Sequence, residues 1–179
     1  MKSQSIEKAE NLGKGHGQYR EINQDEFLAE VTSSQRVICH FYHRDFQRCT
    51  IMDHHIAKLA PRHIETKFIK INAEKAPFFV NKLIIRTIPS LICFEDGVAR
   101  EKILGFEGLS DCMPPGKEDE WPTVVLARAL SDKKMLDPKN IVDDDAVTKS
   151  QLAKMEEMRR NMMQNAFLNT ELDDGDISD

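Results

Sequence analysis

The sequence predicts an α/β fold built on a mixed sheet, and three observations carry that reading. Between Arg36 and Leu83, β-rich runs take turns with helical patterns. Two later strand patterns, Ile88 to Phe94 and Arg100 to Phe106, flank Asp96-Gly97, a hairpin turn signal. Pro89 stands at the entrance of the first of these strands, where a missing N–H does least harm. Hairpin partners run antiparallel, whereas strands separated by helices favour parallel pairing.

Taken in order, Ile6, Ala9 and Leu12 recur at helical spacing before Gly13, Gly15 and Gly17 break the pattern, so a short helical arm and a glycine hinge are expected. Gln18 to Ile22 alternates and reads as a short first strand. Asn23 and Glu26 have the spacing of a capping box that opens a helix through Phe27, Leu28 and Val31. Arg36 to Tyr42 is a strand, rich in Val37, Ile38, Phe41 and Tyr42. A helix follows from near Gln47 to His63, with Ile51, Ile56 and Leu59 facing inward. Lys67 to Asn72 is a strand and Ala76 to Leu83 a short helix. Cys112 to Glu120 is a loop, and Trp121 to Leu130 a helix that packs Trp121, Val124, Val125 and Leu130 on the sheet. Asp143-Asp144-Asp145 marks a second boundary. Beyond it lie a helical pattern from Ala146 to Leu168 and an acidic end, Glu171 to Asp179, expected to be disordered. The organisation is an arm over 1–14, a domain over 15–136 and an extension over 137–179.

Composition narrows the function classes. The 179 residues are 40% hydrophobic and 31% charged, which suits one globular core with solvated arms. A net charge of −5 gives no overall pull toward nucleic acid or an anionic membrane. No apolar run is long enough to span a bilayer, and the polar start lacks a signal-peptide core, so a cytoplasmic protein with reduced thiols is expected. Cys39, Cys49, Cys93 and Cys112 are scattered, with no Cys-x-x-Cys. Cys39 and Cys93 read as small core hydrophobes rather than a redox pair. Of the six histidines, His40 and His43 diverge across a strand end and His54-His55 are adjacent on a helix, so no metal is expected. Gly13-Lys14-Gly15-His16-Gly17 lacks the preceding strand and following Lys-Ser/Thr of a phosphate loop, and no cofactor is implied.

A strand ending in Phe41-Tyr42, a cysteine near the start of the next helix, and Ile88-Pro89-Ser90 ahead of a hairpin together resemble the thioredoxin fold. The strings Gly15-His16-Gly17-Gln18-Tyr19-Arg20-Glu21-Ile22, Cys39-His40-Phe41-Tyr42, Glu65-Thr66-Lys67-Phe68 and Glu74-Lys75-Ala76-Pro77-Phe78 resemble the phosducin-like group, the thioredoxin domain-containing protein 9 family. The resemblance runs from about Gly13 to Asp111. It implies a sheet of four or five strands flanked by helices, and a cis proline at Pro89 after Ile88. It puts Phe46-Gln47-Arg48-Cys49 where the redox motif stands, so Phe46 holds the attacking cysteine's place and Cys49 alone remains. His40 holds the place of a buried aspartate. Exchange needs an attacking thiolate and a second thiol, so the degenerate motif predicts a non-enzymatic protein.

The group's likeness implies a co-chaperone that binds the cytosolic chaperonin and modulates the folding of actin and tubulin. Partner contacts are expected from Phe46, Arg48 and the Ile88-Pro89 loop, and from the C-terminal stripe of Leu152, Met155, Met158 and Met162. Methionines adapt to irregular grooves. Two other readings rank below: a single-thiol redox protein or sensor using Cys49, and a binder of G-protein βγ subunits, for which the helix before Gly13 looks short.

Overall fold

The computed structural model describes residues 3–142, 153, 156–158 and 160–165. The Asp143-Asp144-Asp145 boundary, Leu152, Met155 and the acidic end lie outside the described residues. In chain order the elements are α1 (Gln4–Gly13), β1 (Tyr19–Ile22), α2 (Phe27–Thr32), β2 (Arg36–Tyr42), α3 (Gln47–Leu59), β3 (Lys67–Asn72), α4 (Pro77–Lys82), β4 (Ser90–Glu95), β5 (Val98–Leu104) and α5 (Thr123–Asp132). The strands form one sheet in the order β1-β3-β2-β4-β5. β3 pairs parallel with β1 and β2, and β4 pairs antiparallel with β2 and β5.

β2 sits at the centre and is buried on both faces, which is why it reads as a nearly unbroken apolar run. Its side chains alternate. Val37, Cys39 and Phe41 enter a core layer with Phe27, Val31 and Phe79 of α2 and α4. Ile38 faces the other layer, with Met52, Ile56 and Leu59 of α3 and Leu126 and Leu130 of α5. The register sets Ile38 opposite Cys93 and Cys39 opposite Ile92. Cys39 and Cys93 therefore sit on opposite faces of the sheet, each a free, buried thiol.

Local sequence chemistry sets the element ends. The capping box forms: Glu26 N–H donates to Asn23 Oδ1 at 3.0 Å, and Asn23 N–H to Glu26 Oε2 at 3.1 Å. β4 and β5 meet at Asp96-Gly97 with φ of +51° and +79°, a turn whose twist matches the strands. A Cβ on Gly97 would also lie 3.1 Å from Thr32 Cγ2. Gly15 and Gly17, at φ of +95° and +90°, carry the chain from the arm into the domain. Between them His16 is buried, its Nδ1 2.6 Å from the Ile64 carbonyl and its Nε2 2.6 Å from Ser34 Oγ.

Several boundaries differ from the sequence reading. α3 ends at Leu59 rather than His63, because Pro61 has no N–H to continue the ladder beyond Ala60. Arg62 and His63 instead both donate to the Leu59 carbonyl, at 3.0 Å each. Ile51 is only half-buried, and Met52 and His55 fill the stripe instead. β4 starts at Ser90, after the proline, and β5 starts at Val98, directly after the tight turn. Trp121 precedes α5 rather than opening it, because Pro122 holds the N-cap in an extended conformation.

Trp121 is nevertheless the keystone of its layer. It is 1% exposed, stacks on His55 with ring centroids 4.1 Å apart, and meets Phe106 edge-on at 5.1 Å. His55 Nδ1 lies 2.6 Å from Thr123 Oγ1, binding α3 to α5. Trp121→Ala is expected to cost about 3–5 kcal/mol; a urea titration followed by far-UV circular dichroism would show the lowered midpoint.

Candidate functional site

The loop after β2 and the first turn of α3 build the site. The chain turns through His43, Arg44 and Asp45, and Asp45 N–H donates to His43 Nδ1 at 3.0 Å. Phe46 is the N-cap of α3 with an extended backbone, and its side chain has no oxygen to offer the free amides of the first turn. Its ring lies against His43, centroids 4.7 Å apart, and stays 48% exposed. The Phe46 carbonyl accepts the Cys49 N–H at 3.0 Å. The redox position is thus an aromatic surface residue.

Cys49 is 2% exposed, and its Sγ accepts the His43 N–H at 3.5 Å. Burial pushes the thiol up, against the pull of that N–H, and the Asp53 carboxylate pushes the same way. A thiol held in its protonated form is a poor nucleophile.

The remaining parts meet through a chain of contacts. The Ile88–Pro89 peptide is cis. Phe41 pairs with Ser90, which sets the proline loop beside the end of β2. The Pro89 carbonyl accepts the Gly105 N–H at 2.7 Å. Phe106 follows, and the Arg48 guanidinium stands 4.9 Å from its ring centroid while Nη2 pairs with Asp119 at 3.0 Å. Phe46, Arg48, Ile88 and Pro89 therefore gather at one end of the sheet. Arg48 is only half-exposed and already engaged. Met158 and Met162 do not join them: they belong to the helical residues 156–158 and 160–165, 42% and 58% exposed, tied to α5 through Glu156 and Arg128.

Behind Cys49 lies a polar cluster that sequence reasoning missed apart from His40. His40 is fully buried, with Nδ1 2.8 Å from Tyr19 Oη and 3.0 Å from Asp53 Oδ1. Tyr19 Oη donates to Asp53 Oδ1 at 2.6 Å, and Lys70 Nζ to Asp53 Oδ2 at 3.4 Å. The acid missing from the strand is supplied by α3. One signal pointed to it: Asp53 follows Cys49 by one helical turn, a carboxylate on the stripe of Cys49, Met52 and Ile56. Burial lowers His40 and favours its neutral form, in which Nδ1–H donates to Asp53, while its Nε2 has no partner among the described residues. Burial opposes the charge on Asp53, but the bonds from His40 and Tyr19 hold it below the usual carboxylate range. Burial and that carboxylate raise Tyr19 well above its ordinary value. Among the described residues, no three His, Cys, Asp or Glu side chains converge to hold a metal ion.

Comparison with known proteins agrees with this geometry. The thioredoxin family profile matches residues 18–112. A mutant thioredoxin from Halobacterium salinarum superimposes with a TM-score of 0.54 at 17% identity, covering 68% of this chain and 96% of that one, which establishes a thioredoxin fold. The chain is 44% identical over 94% of its length to thioredoxin domain-containing protein PLP3B of Arabidopsis thaliana, spanning 69% of that protein. It is 45% identical over 67% of its length to mouse thioredoxin domain-containing protein 9, and 44% identical over 70% to phosducin-like protein 3 of Dictyostelium discoideum. It spans 51% and 65% of those two relatives. The chain belongs to the thioredoxin family, in its phosducin-like, thioredoxin domain-containing protein 9 branch.

The cluster makes the fold acid-sensitive with a defined sign. His40 folds neutral, so stability falls as pH drops below about 6.5, where the unfolded chain begins to bind the proton first. Asp53 folds ionised, so its contribution is present above about pH 4 and is lost as pH falls through its lowered folded value. Thermal melts from pH 7.5 to 3 are expected to show a two-stage decline. Asp53→Asn should lower stability at pH 7 by about 1–3 kcal/mol and flatten the lower stage.

Proposed function

We propose that this chain is a non-enzymatic adaptor of the cytoplasm, a co-chaperone that binds the cytosolic chaperonin and modulates the folding of its actin and tubulin clients. One observation carries the reading: at the sheet end that also holds the cis-proline loop, where the motif's attacking thiol would stand, this protein presents the exposed ring of Phe46. Cys49 is buried, its thiol is raised, and Phe46 stands where a second motif cysteine would complete an exchange. What remains at the sheet end is a recognition surface of Phe46, Arg48 and the Ile88-Pro89 loop, with backbone groups to pair with an extended chain. The relatives named phosducin-like protein 3 support membership of the group whose resemblance suggested this role. The exposed methionines Met158, Met162 and Met163 add adaptable apolar contact outside the domain. A rigid small domain with amphipathic arms suits docking on a large chaperone without chemistry of its own.

Two measurements test this. In an insulin-reduction assay the chain is expected to show no turnover above buffer; turnover abolished by Cys49→Ser would establish an enzyme instead. Purified chain mixed with cytosolic chaperonin at physiological salt is expected to co-migrate on gel filtration, and Cys49→Ser to leave this intact. Phe46→Ala should weaken the complex by about tenfold or more, as loss of an aromatic anchor does. No co-migration would remove the chaperonin reading.

A further inference from the structure

The side of the sheet away from α3 and α5 displays apolar groups that the fold does not use. Between residues 15 and 141 the most exposed large apolar side chains are Ile84, Leu28 and Phe78, at 66%, 63% and 59%. All three lie on α2, on α4 or in the turn that follows α4. Those helices are neighbours: the Phe27 and Phe79 rings are 4.1 Å apart in the core layer beneath them. Phe78 N–H also donates to Gln24 Oε1 at 3.4 Å, and the Phe78 ring meets Phe79 edge-on at 5.0 Å. The α2–α4 pair thus builds one surface that carries all three.

Ile84 stands there under strain. The end of α4 closes as a Schellman motif, in which Ile84 N–H donates to the Asn81 carbonyl at 3.2 Å and Ile85 N–H to the Val80 carbonyl at 2.9 Å. This motif puts Ile84 at φ +55°, in the left-handed position that glycine usually fills. A β-branched side chain is disfavoured there, and an exposed one recovers little through burial. The other non-glycine residues with positive φ among the described residues, Asp96 and Lys134, are unbranched at Cβ and polar. Strain held by an exposed apolar residue points to a use outside the fold.

Charge indicates the occupant. Lys75, Lys82 and Arg86 are exposed and have no ion-pair partner among the described residues. Lys82 follows Phe78 by one helical turn, and Arg86 and Ile84 flank the buried Ile85. The acids of the same region are mostly engaged: Glu21 by Tyr42, Glu26 and Glu30 by Arg20, and Glu74 by His43. Asp25 is the exception. Apolar anchors beside unpaired cations are complementary to carboxylates interleaved with apolar side chains. An anionic bilayer fits less well, because the chain's net charge of −5 opposes its approach.

We infer that the α2–α4 surface is a docking site for an acidic, apolar segment of a protein partner. Leu28, Phe78 and Ile84 are its anchors, and Lys75, Lys82 and Arg86 pair with the partner's carboxylates. This holds whether or not the partner is the chaperonin.

Fluorescence anisotropy on the full chain tests it with a labelled peptide of about 18 residues, Leu at helical spacing and Asp or Glu elsewhere. Matched peptides with Lys for the acids, or Ser for the leucines, are the controls. The acidic apolar peptide is expected to bind and the controls to fail. Lys75→Glu with Lys82→Glu and Arg86→Glu should weaken binding by about tenfold or more, as should Leu28→Ser with Phe78→Ser. Ile84→Gly separates contact from folding: it should weaken binding yet melt no lower than wild type, since glycine relieves the strain. No binding, equal binding of the Lys peptide, or binding unmoved by the charge reversals would overturn the assignment. So would an Ile84→Gly melt below wild type, because Ile84 would then serve the fold. Sedimentation with phosphatidylserine vesicles, abolished by the charge reversals, would assign the surface to a membrane instead.

Discussion

The structure depends on a central strand that is buried on both faces and pairs differently on its two edges. β2 runs parallel to β3 and antiparallel to β4, so it joins the helix-connected half of the sheet to the hairpin half. Val37, Ile38, Cys39 and Phe41 along it are each committed to one core layer or the other. A slip of one residue would bring Cys39 to the α3 side and expel Ile38 and His40 from it. The same strand ends at Tyr42, which fixes where the 43–46 turn begins and where α3 starts. The site inherits its position from that register.

Its electrostatics follow from the same arrangement. In the dithiol site that the fold resembles, a buried acid helps proton transfer from the resolving thiol. Here the strand supplies His40, α3 supplies Asp53, and Tyr19 closes the triangle from β1. The three bond to one another through His40 Nδ1, Tyr19 Oη and Asp53 Oδ1, with Lys70 balancing the carboxylate charge and His40 Nε2 unpaired among the described residues. A network of this kind stabilises the junction of β1, β2 and α3, and the Asp53 charge raises the Cys49 thiol rather than activating it. The burial that makes the cluster a good structural element also holds the thiol protonated.

The two ends of the chain relate to the domain differently. α1 buries none of its residues, and the link to the domain comes after it, through His16. At the other end Ile141 packs against the core, and Arg128 of α5 pairs with Glu156.

Much of the fold was legible in the residues. Val37 to Phe41 announces a two-face buried strand, Asn23 and Glu26 a capping box, and Asp96-Gly97 a tight hairpin, because each depends on chemistry within a few residues. The loss of the attacking cysteine was equally plain, since Phe46 needs only to be read. The sequence by itself determined the order of elements, the family and the degenerate motif. Only the tertiary structure decided that Asp53 and Tyr19 meet His40, that Trp121 stacks on His55, that Cys39 and Cys93 face opposite ways, and that Arg48 lies over Phe106. Those outcomes rest on which side chains converge across β1, β2, α3 and the loop before α5. Convergence over such separations is set by sheet register and helix packing, and no local pattern of residues encodes it.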